Sequence, residues 1–205
     1  MKSILYKGYH SQKAFNLFKK SYNEDSLIIF LPPLLTDYSF VSLLPKGSVE
    51  LQGELWESTP QVPNARGENY SVPPVAGVFS SGTTKESKLI LYSKENMTSS
   101  VFAIFELFDR ERVKNIFCYP QPFHTFGLTL GYAASHLLGL NLQFADGKYS
   151  LAHHELWKKF TGPENLTLGT PTHYYDLLQW QSEQSTQPQT SYSCIIGGAK
   201  VKKNL

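Results

Sequence analysis

Cysteine is scarce in this 205-residue chain: there are two, Cys118 and Cys194, in apolar strand-like runs and without a Cys-x-x-Cys spacing. That excludes a disulfide scaffold and a cysteine zinc site, and predicts buried free thiols in a reducing compartment. No apolar stretch approaches the roughly 18 residues a membrane-spanning helix needs. The first residues also lack the apolar core of a signal peptide, so a cytoplasmic protein is expected. Charge of one sign is scarce as well. The net charge is +2 and unclustered, which leaves no electrostatic footprint for nucleic acid. There is no Gly-x-x-x-x-Gly-Lys-Ser/Thr loop and no Gly-x-Ser-x-Gly elbow. Their absence excludes a Walker A site, and Ser80 or Ser81 as a hydrolase nucleophile. His153-His154-Glu155 has no partner cluster of zinc spacing, and adjacent helical histidines diverge by about 100°. A solvated helix start and no metal site are expected there.

What is present is globular. With 41% hydrophobic and 18% charged residues, the chain can fill a core and carries no disorder signature. Taken in order, helical spacing runs from His10 to Tyr22, and Ser26–Leu31 reads as a buried strand stopped by Pro32-Pro33. Leu34–Leu44 suggests a short helix capped by Thr36 or Asp37, and Ser48–Trp56 a strand. Thr59–Pro74 is Pro/Asn/Gly/Ser-rich loop. Val75–Phe79 and Lys88–Tyr92 read as strands that deliver and return a loop. Met97, Val101, Ile104, Phe105 and Phe108 place an amphipathic helix over 94–109. Asn115–Tyr119, Leu140–Ala145, Leu166–Gly169 and Cys194–Ile196 read as further strands. Between them lie an apolar helix at Phe126–Leu138, a short one at Glu155–Phe160, and one from Pro171 to about Gln181. Ser182–Ser191 is a polar loop, and no internal repeat is visible. Strands alternating with helices predict an α/β fold, a layered, mostly parallel sheet with flanking helices. Ligands of such sheets lie beyond the carboxyl ends of the strands.

One of those ends is Phe79-Ser80-Ser81-Gly82-Thr83-Thr84-Lys85-Glu86-Ser87-Lys88. The run offers hydroxyl donors, free backbone N–H groups, a flexible Gly82 and one cation, the groups that wrap a polyphosphate. Serine- and threonine-rich runs are also ordinary loops. The segment resembles the Thr-Ser-Gly-Ser/Thr-Thr-Gly-x-Pro-Lys signature of the adenylate-forming (AMP-binding) superfamily of acyl-CoA synthetases, peptide-synthetase adenylation domains and luciferases. Ser93-Lys94-Glu95-Asn96-Met97 is similar to the Thr-His-x-Asn-Leu that follows it there. Lys85, Ser87 and Leu89 stand where that superfamily has Gly, Pro and Gly, which stiffens and crowds the loop.

Three further segments continue the resemblance in the superfamily's order. Pro122-Phe123-His124-Thr125-Phe126-Gly127 is similar to Pro-x-Phe-His-x-x-Gly, read on its residues alone as a turn with a capping or core histidine. The resemblance gives His124 a gating and packing role, with Phe123 and Gly127 beside it. Gly169-Thr170-Pro171-Thr172 resembles a Gly-Val-Pro-Thr corner beside the carboxylate substrate, and on its own reads as a helix start. Gly197-Gly198-Ala199-Lys200-Val201 resembles Gly-Gly-Ala-Pro-Leu, where paired glycines admit a planar ligand, or else form a bare turn.

The resemblance implies that ATP and pyrophosphate are held by Ser80, Ser81, Gly82, Thr83, Thr84 and Lys88, with Thr84 and Lys88 acting in catalysis. It implies an acyl/CoA pocket at His124, Phe123, Gly127, Thr170, Pro171, Gly197, Gly198 and Ala199. The co-substrates would be ATP, Mg2+ and coenzyme A, and the partner a small-molecule carboxylic acid. The superfamily's magnesium glutamate, ribose aspartate, hinge and C-terminal domain have no counterpart before Leu205. Residues 1–205 therefore read as an incomplete N-terminal AMP-binding domain, with 1–74 a short segment and loop and 75–205 a phosphate-loop and acyl-pocket subdomain. The expected activity of the complete enzyme is acid–CoA ligation, with this chain alone inactive. The compact N-terminal segment tilts the reading toward an o-succinylbenzoate–CoA ligase of menaquinone synthesis. A fatty-acid CoA ligase, an acyl-protein synthetase and a non-catalytic nucleotide- or partner-binding module are the alternatives. An unfinished sheet edge would favour self-association.

Overall fold

The computed structural model describes residues 1–53, 55, 70–80, 88–108, 111–144, 150, 152–157, 160, 162–183 and 193–198. The chain divides into two compact units, Met1–Ser99 with Phe123–Thr125, and Ser100–Pro122 with Phe126–Leu205. The division expected at 74/75 thus falls inside the first unit. The α/β architecture is present, with its strands in two sheets.

In the first unit β1 (Ser3–Lys7), β2 (Leu27–Leu31), β3 (Val49–Gln52), β4 (Pro74–Phe79) and β5 (Leu89–Ser93) form one sheet in the order β3-β1-β2-β4-β5. All pairings are parallel except β4 with β5, which form a hairpin. β1, β2 and β4 are buried along their whole length, which is why β2 reads as an unbroken apolar run instead of alternating. On one face Leu5, Leu27, Ile29, Leu31 and Phe79 pack with Phe40, Val41 and Leu44. Those three come from the segment expected as a helix, which proves to be a single 3-10 turn, Ser39–Leu43. The N-cap position is Tyr38, without a side-chain cap, and Asp37 just before it accepts from the Ser39 amide and hydroxyl. α1 (Gln12–Asn23) starts at Ser11, whose hydroxyl accepts from the Ala14 amide and supplies one orphan donor with a partner.

α2 (Lys94–Phe105) follows β5 directly. Ser93 and Asn96 exchange side chain and backbone: the Asn96 amide donates to Ser93 Oγ and the Ser93 amide to Asn96 Oδ1. This reciprocal start explains why the helix begins at once. Met97, Val101 and Phe105 are fully buried, each stabilising the fold by about 1.5–3 kcal/mol over an exposed position.

The second unit holds β6 (Asn115–Cys118), β7 (Asn141–Gln143), β8 (Asn165–Gly169) and β9 (Ser193–Ile196), all parallel, in the order β7-β6-β8-β9. Asn141, Asn115 and Asn165 stand in register at the amino ends of three neighbouring strands. Their amides bond in series, Asn141 to Asn115 at 3.0 Å and Asn115 to Asn165 at 2.8 Å. A one-residue slip would break this ladder and reverse every side chain.

The apolar helix expected over Phe126–Leu138 opens with a π-helical stretch, Gly127–Ala133, and closes as α3, Ala134–Leu138. Two close approaches set its path. A Cβ on Gly127 would lie 2.2 Å from the Pro120 carbonyl oxygen and 2.3 Å from that of Gln121, and one on Gly131 2.7 Å from Cys118 Sγ. Opposite, α4 (His153–Trp157) and α5 (Pro171–Glu183) cover Phe117 and Tyr119 with Trp157, Tyr174 and Leu177. Cys118 is buried as expected; Cys194, on the strand that ends the order of described strands, is exposed. No described helix is long and apolar enough to cross a membrane.

Candidate functional site

The first unit positions the loop residues. Beyond Phe79↔Leu89 the β4–β5 ladder gains one more pair: the Ser80 amide donates to the Lys88 carbonyl at 2.8 Å, and the Lys88 amide to Ser80 Oγ at 3.2 Å. Ser80 and Lys88 therefore close the base of the loop. Ser80 contributes a structural bond, and the Lys88 side chain stays exposed. Ser81, Gly82, Thr83, Thr84, Lys85 and Ser87 lie outside the described residues. Whether Leu89 crowds the loop falls on residues 81–87, outside the described residues. Leu89 turns the other way from Lys88, as alternation along a strand requires, and packs against the core of this unit.

Phe123, His124 and Thr125 also belong to this unit. Phe123 is buried, its ring centroid 6.1 Å from Tyr9 and 4.8 Å from His124. Thr125 Oγ1 meets the Tyr92 hydroxyl at 2.9 Å. His124 itself is exposed; no hydrogen bond to its ring stands among the described contacts, and desolvation lowers its pKa.

The second unit collects the remaining residues at the carboxyl rim of its sheet. Three strand ends are adjacent there: the Tyr119 amide donates to the Leu168 carbonyl at 3.0 Å, and the Gly197 amide to the Gly169 carbonyl at 3.1 Å. This rim carries Thr170, Pro171, Gly197 and Gly198; Ala199 lies outside the described residues. Gly198 holds φ +84, a conformation glycine takes at no steric cost. Its open face looks toward the Thr170 methyl, 3.6 Å from where a Cβ would stand, while that of Gly197 looks toward the Phe126 ring at 3.2 Å. Gly127 has no such open face, because the Pro120 and Gln121 carbonyls occupy it.

Behind the rim lies a cluster that sequence reasoning missed. His153 and His154 are buried, not a solvated helix start. His154 Nδ1 bonds the Tyr119 hydroxyl at 3.1 Å, and the Tyr119 ring stacks on His173 with centroids 5.0 Å apart and planes at 15°. His173 Nδ1 takes the Thr170 amide at 2.9 Å, and His153 Nδ1 the Ser150 amide at 3.0 Å. Burial holds the His154 pKa below its ordinary value and pushes that of His173 down to about 4. The spacing Thr170-x-x-His173 was the available signal, since the third helical residue is where a capping box reaches back. Among the described residues no group of three His, Cys, Asp or Glu side chains is arranged to hold a metal ion.

Comparison with known proteins places this geometry. The family model described as AMP-binding enzyme matches residues 43–205. The acyl-CoA ligase cnsG of Penicillium expansum is 27% identical over 127 residues, which are 62% of this chain and 26% of that protein. The inhibitor-bound N-terminal domain of FACL13 from Mycobacterium tuberculosis superposes with a TM-score of 0.71 at 15% identity, covering 98% of this chain and 57% of that one. A double mutant of the o-succinylbenzoate CoA synthetase MenE from Bacillus subtilis, bound to a product analogue, gives 0.63 at 11% identity, covering 98% and 44%. The structural likenesses, at these identities, establish the fold, and the chain spans about a quarter of the curated relative and about half of the two structures. The family match covers most of the chain and includes every motif quoted above, so this protein belongs to the AMP-binding enzyme family.

Proposed function

We propose that residues 1–205 supply the amino-terminal, nucleotide-binding part of an ATP-dependent acid–thiol ligase. The observation that carries the reading is the Ser80–Lys88 pair, which closes the hairpin beneath the loop bearing the family signature. In the reaction a substrate carboxylate attacks the α-phosphate of ATP. The bond to pyrophosphate breaks and an acyl-adenylate forms. A thiol, coenzyme A in the simplest case, then displaces AMP to give the thioester.

The chain's part is binding and charge stabilisation. Ser81, Gly82, Thr83 and Thr84 would donate to the β- and γ-phosphates, and the Lys88 ammonium would offset charge on the leaving pyrophosphate. Thr170, Pro171, Gly197, Gly198 and Ala199 of the second unit would border the acyl group; in the first unit Phe123 and His124 would serve as packing groups. Mg2+ would accompany the ATP phosphates as charge-neutralising co-substrate.

The acid is o-succinylbenzoate in the preferred reading, with a fatty acid or transfer to a protein thiol as alternatives. A cytoplasmic location accords with this chemistry. A non-catalytic binding module of the same fold is the second reading, favoured by Lys85 and Ser87 in place of the family's Gly and Pro.

The test is pyrophosphate release by the longest natural form of the protein with a panel of acids, with and without coenzyme A. Release that needs one acid and yields a CoA thioester supports the ligase. Nucleotide binding without turnover on any acid leaves the binding module.

A further inference from the structure

His173 occupies the third position of α5, where a capping box usually carries Glu or Gln. Its Nδ1 accepts the Thr170 amide proton, with Thr170 Oγ1 2.9 Å from the same nitrogen. A nitrogen that accepts an N–H must hold a lone pair, so the imidazole is neutral with its proton on Nε2. The Thr170 hydroxyl is drawn back to this nitrogen, and its methyl is left on the side of Gly198. The ring itself is clamped: Tyr119 stacks flat against it, and the Tyr119 hydroxyl is tied to His154 Nδ1.

We propose that His173 is a positioning residue for the acid substrate: by holding the Thr170 amide and hydroxyl, it fixes the strand-to-helix corner so that an apolar methyl, not a hydroxyl, lines the acyl side of the rim. This rests on the ligase reading above. The device needs a neutral ring, because a proton on Nδ1 would face the Thr170 amide donor-to-donor. The groups that act on that proton are His153 and His154 from α4, Tyr119 from the end of β6, and Asp176 on α5 itself. Burial and the two histidines oppose protonation, and Asp176 alone favours it.

The experiment uses the full chain labelled with 15N and 13C. The wild type should show His173 as the Nε2–H tautomer down to about pH 5, with a single Thr170 side-chain rotamer in its N–Cγ2 coupling. His173→Leu should average that rotamer and speed Thr170 amide exchange by about tenfold or more, whereas His173→Gln, which restores an acceptor, should stay within about threefold of wild type. In the longest natural form, His173→Leu should raise KM for the acid about fivefold with kcat nearly unchanged, the signature of lost uniform binding, and His173→Gln should restore it. Titration of His173 near 6.5, or an unchanged Thr170 rotamer in His173→Leu, overturns the proposal. The wild-type titration decides the matter even if the leucine variant does not fold. If the spectra behave as expected but no acid is adenylated, the ligase reading fails and the corner assignment stands. An active ligase with an unchanged KM in His173→Leu sinks the assignment to the acid and leaves the ligase intact.

Discussion

The hydroxyls of Tyr92 and Thr125 lie 2.9 Å apart and share one hydrogen bond, though 33 residues separate them in the chain. The bond ties the turn that carries Phe123 and His124 to β5, the strand returning from the Ser80–Lys88 loop. Being exposed, it is worth no more than about 1 kcal/mol. Tyr92→Phe and Thr125→Ala should each lower stability by roughly that amount, and the double variant by less than their sum. A double-mutant cycle by urea denaturation measures the coupling, about 0.5–1 kcal/mol.

Gly127→Ala should be among the costly single changes in the second unit. Its methyl would overlap two backbone oxygens that cannot swing aside, so a loss of about 2–3 kcal/mol is expected. Gly131→Ala meets one side-chain atom at 2.7 Å, the Cys118 sulfur, instead of two backbone oxygens at 2.2 and 2.3 Å, and should cost less, about 1–2 kcal/mol. Thermal unfolding of the two variants side by side tests the order.

Lys88→Ala should leave stability within about 0.5 kcal/mol, since the side chain is exposed and the Ser80 bonds use backbone atoms. Under the proposed function it should slow pyrophosphate release by about 10²-fold. A variant equally active in that assay would count against the ammonium as the group that offsets pyrophosphate charge.

Stability should rise with pH across the histidine window. His173 in the folded chain titrates at about 4 against an ordinary 6.5. Between those values the unfolded chain binds a proton that the native chain does not, so acidification favours unfolding, and the loss levels off below about 4. The partly buried ring gives an effect on the order of 2 kcal/mol, and the buried His154 adds in the same direction. Glu50, held below its ordinary value by Lys2 and Gln52, contributes stability that is lost only at lower pH, as its carboxylate protonates. Urea midpoints at pH 5 and pH 7 should therefore differ, and should differ less in His173→Gln.

Thiol labelling should distinguish the cysteines. Exposed Cys194 should react with a disulfide reagent in the native protein. Cys118 should react only after unfolding, since burial both blocks access and pushes its pKa well up.

Much of this was legible in the residues. β2 showed as an apolar run because both its faces are covered, and the β4–β5 hairpin as two strands around a polar loop. Ser93 with Asn96, and Pro171, announced their helices through local bonds and fixed dihedrals. The misses share one cause, which is partners far away in the chain. His154 looks solvated beside Glu155, and is buried because Tyr119, 35 residues earlier, takes its ring nitrogen. Cys194 sits in an apolar run like Cys118, yet Cys118 is buried, with Gly131 of the π-helical stretch against its sulfur, and Cys194 is exposed. The Leu34–Leu44 segment has helical spacing, but gives its apolar residues to the sheet from a single turn.

The asparagine ladder has a consequence for how this fold tolerates change. Alignment of β7, β6 and β8 is written into side chains at one rim of the sheet, away from the rim where Thr170, Gly197 and Gly198 stand. A change of side chain at Thr170 therefore leaves the lock between these three strands untouched, while a single Asn115→Leu change would remove both of its bonds.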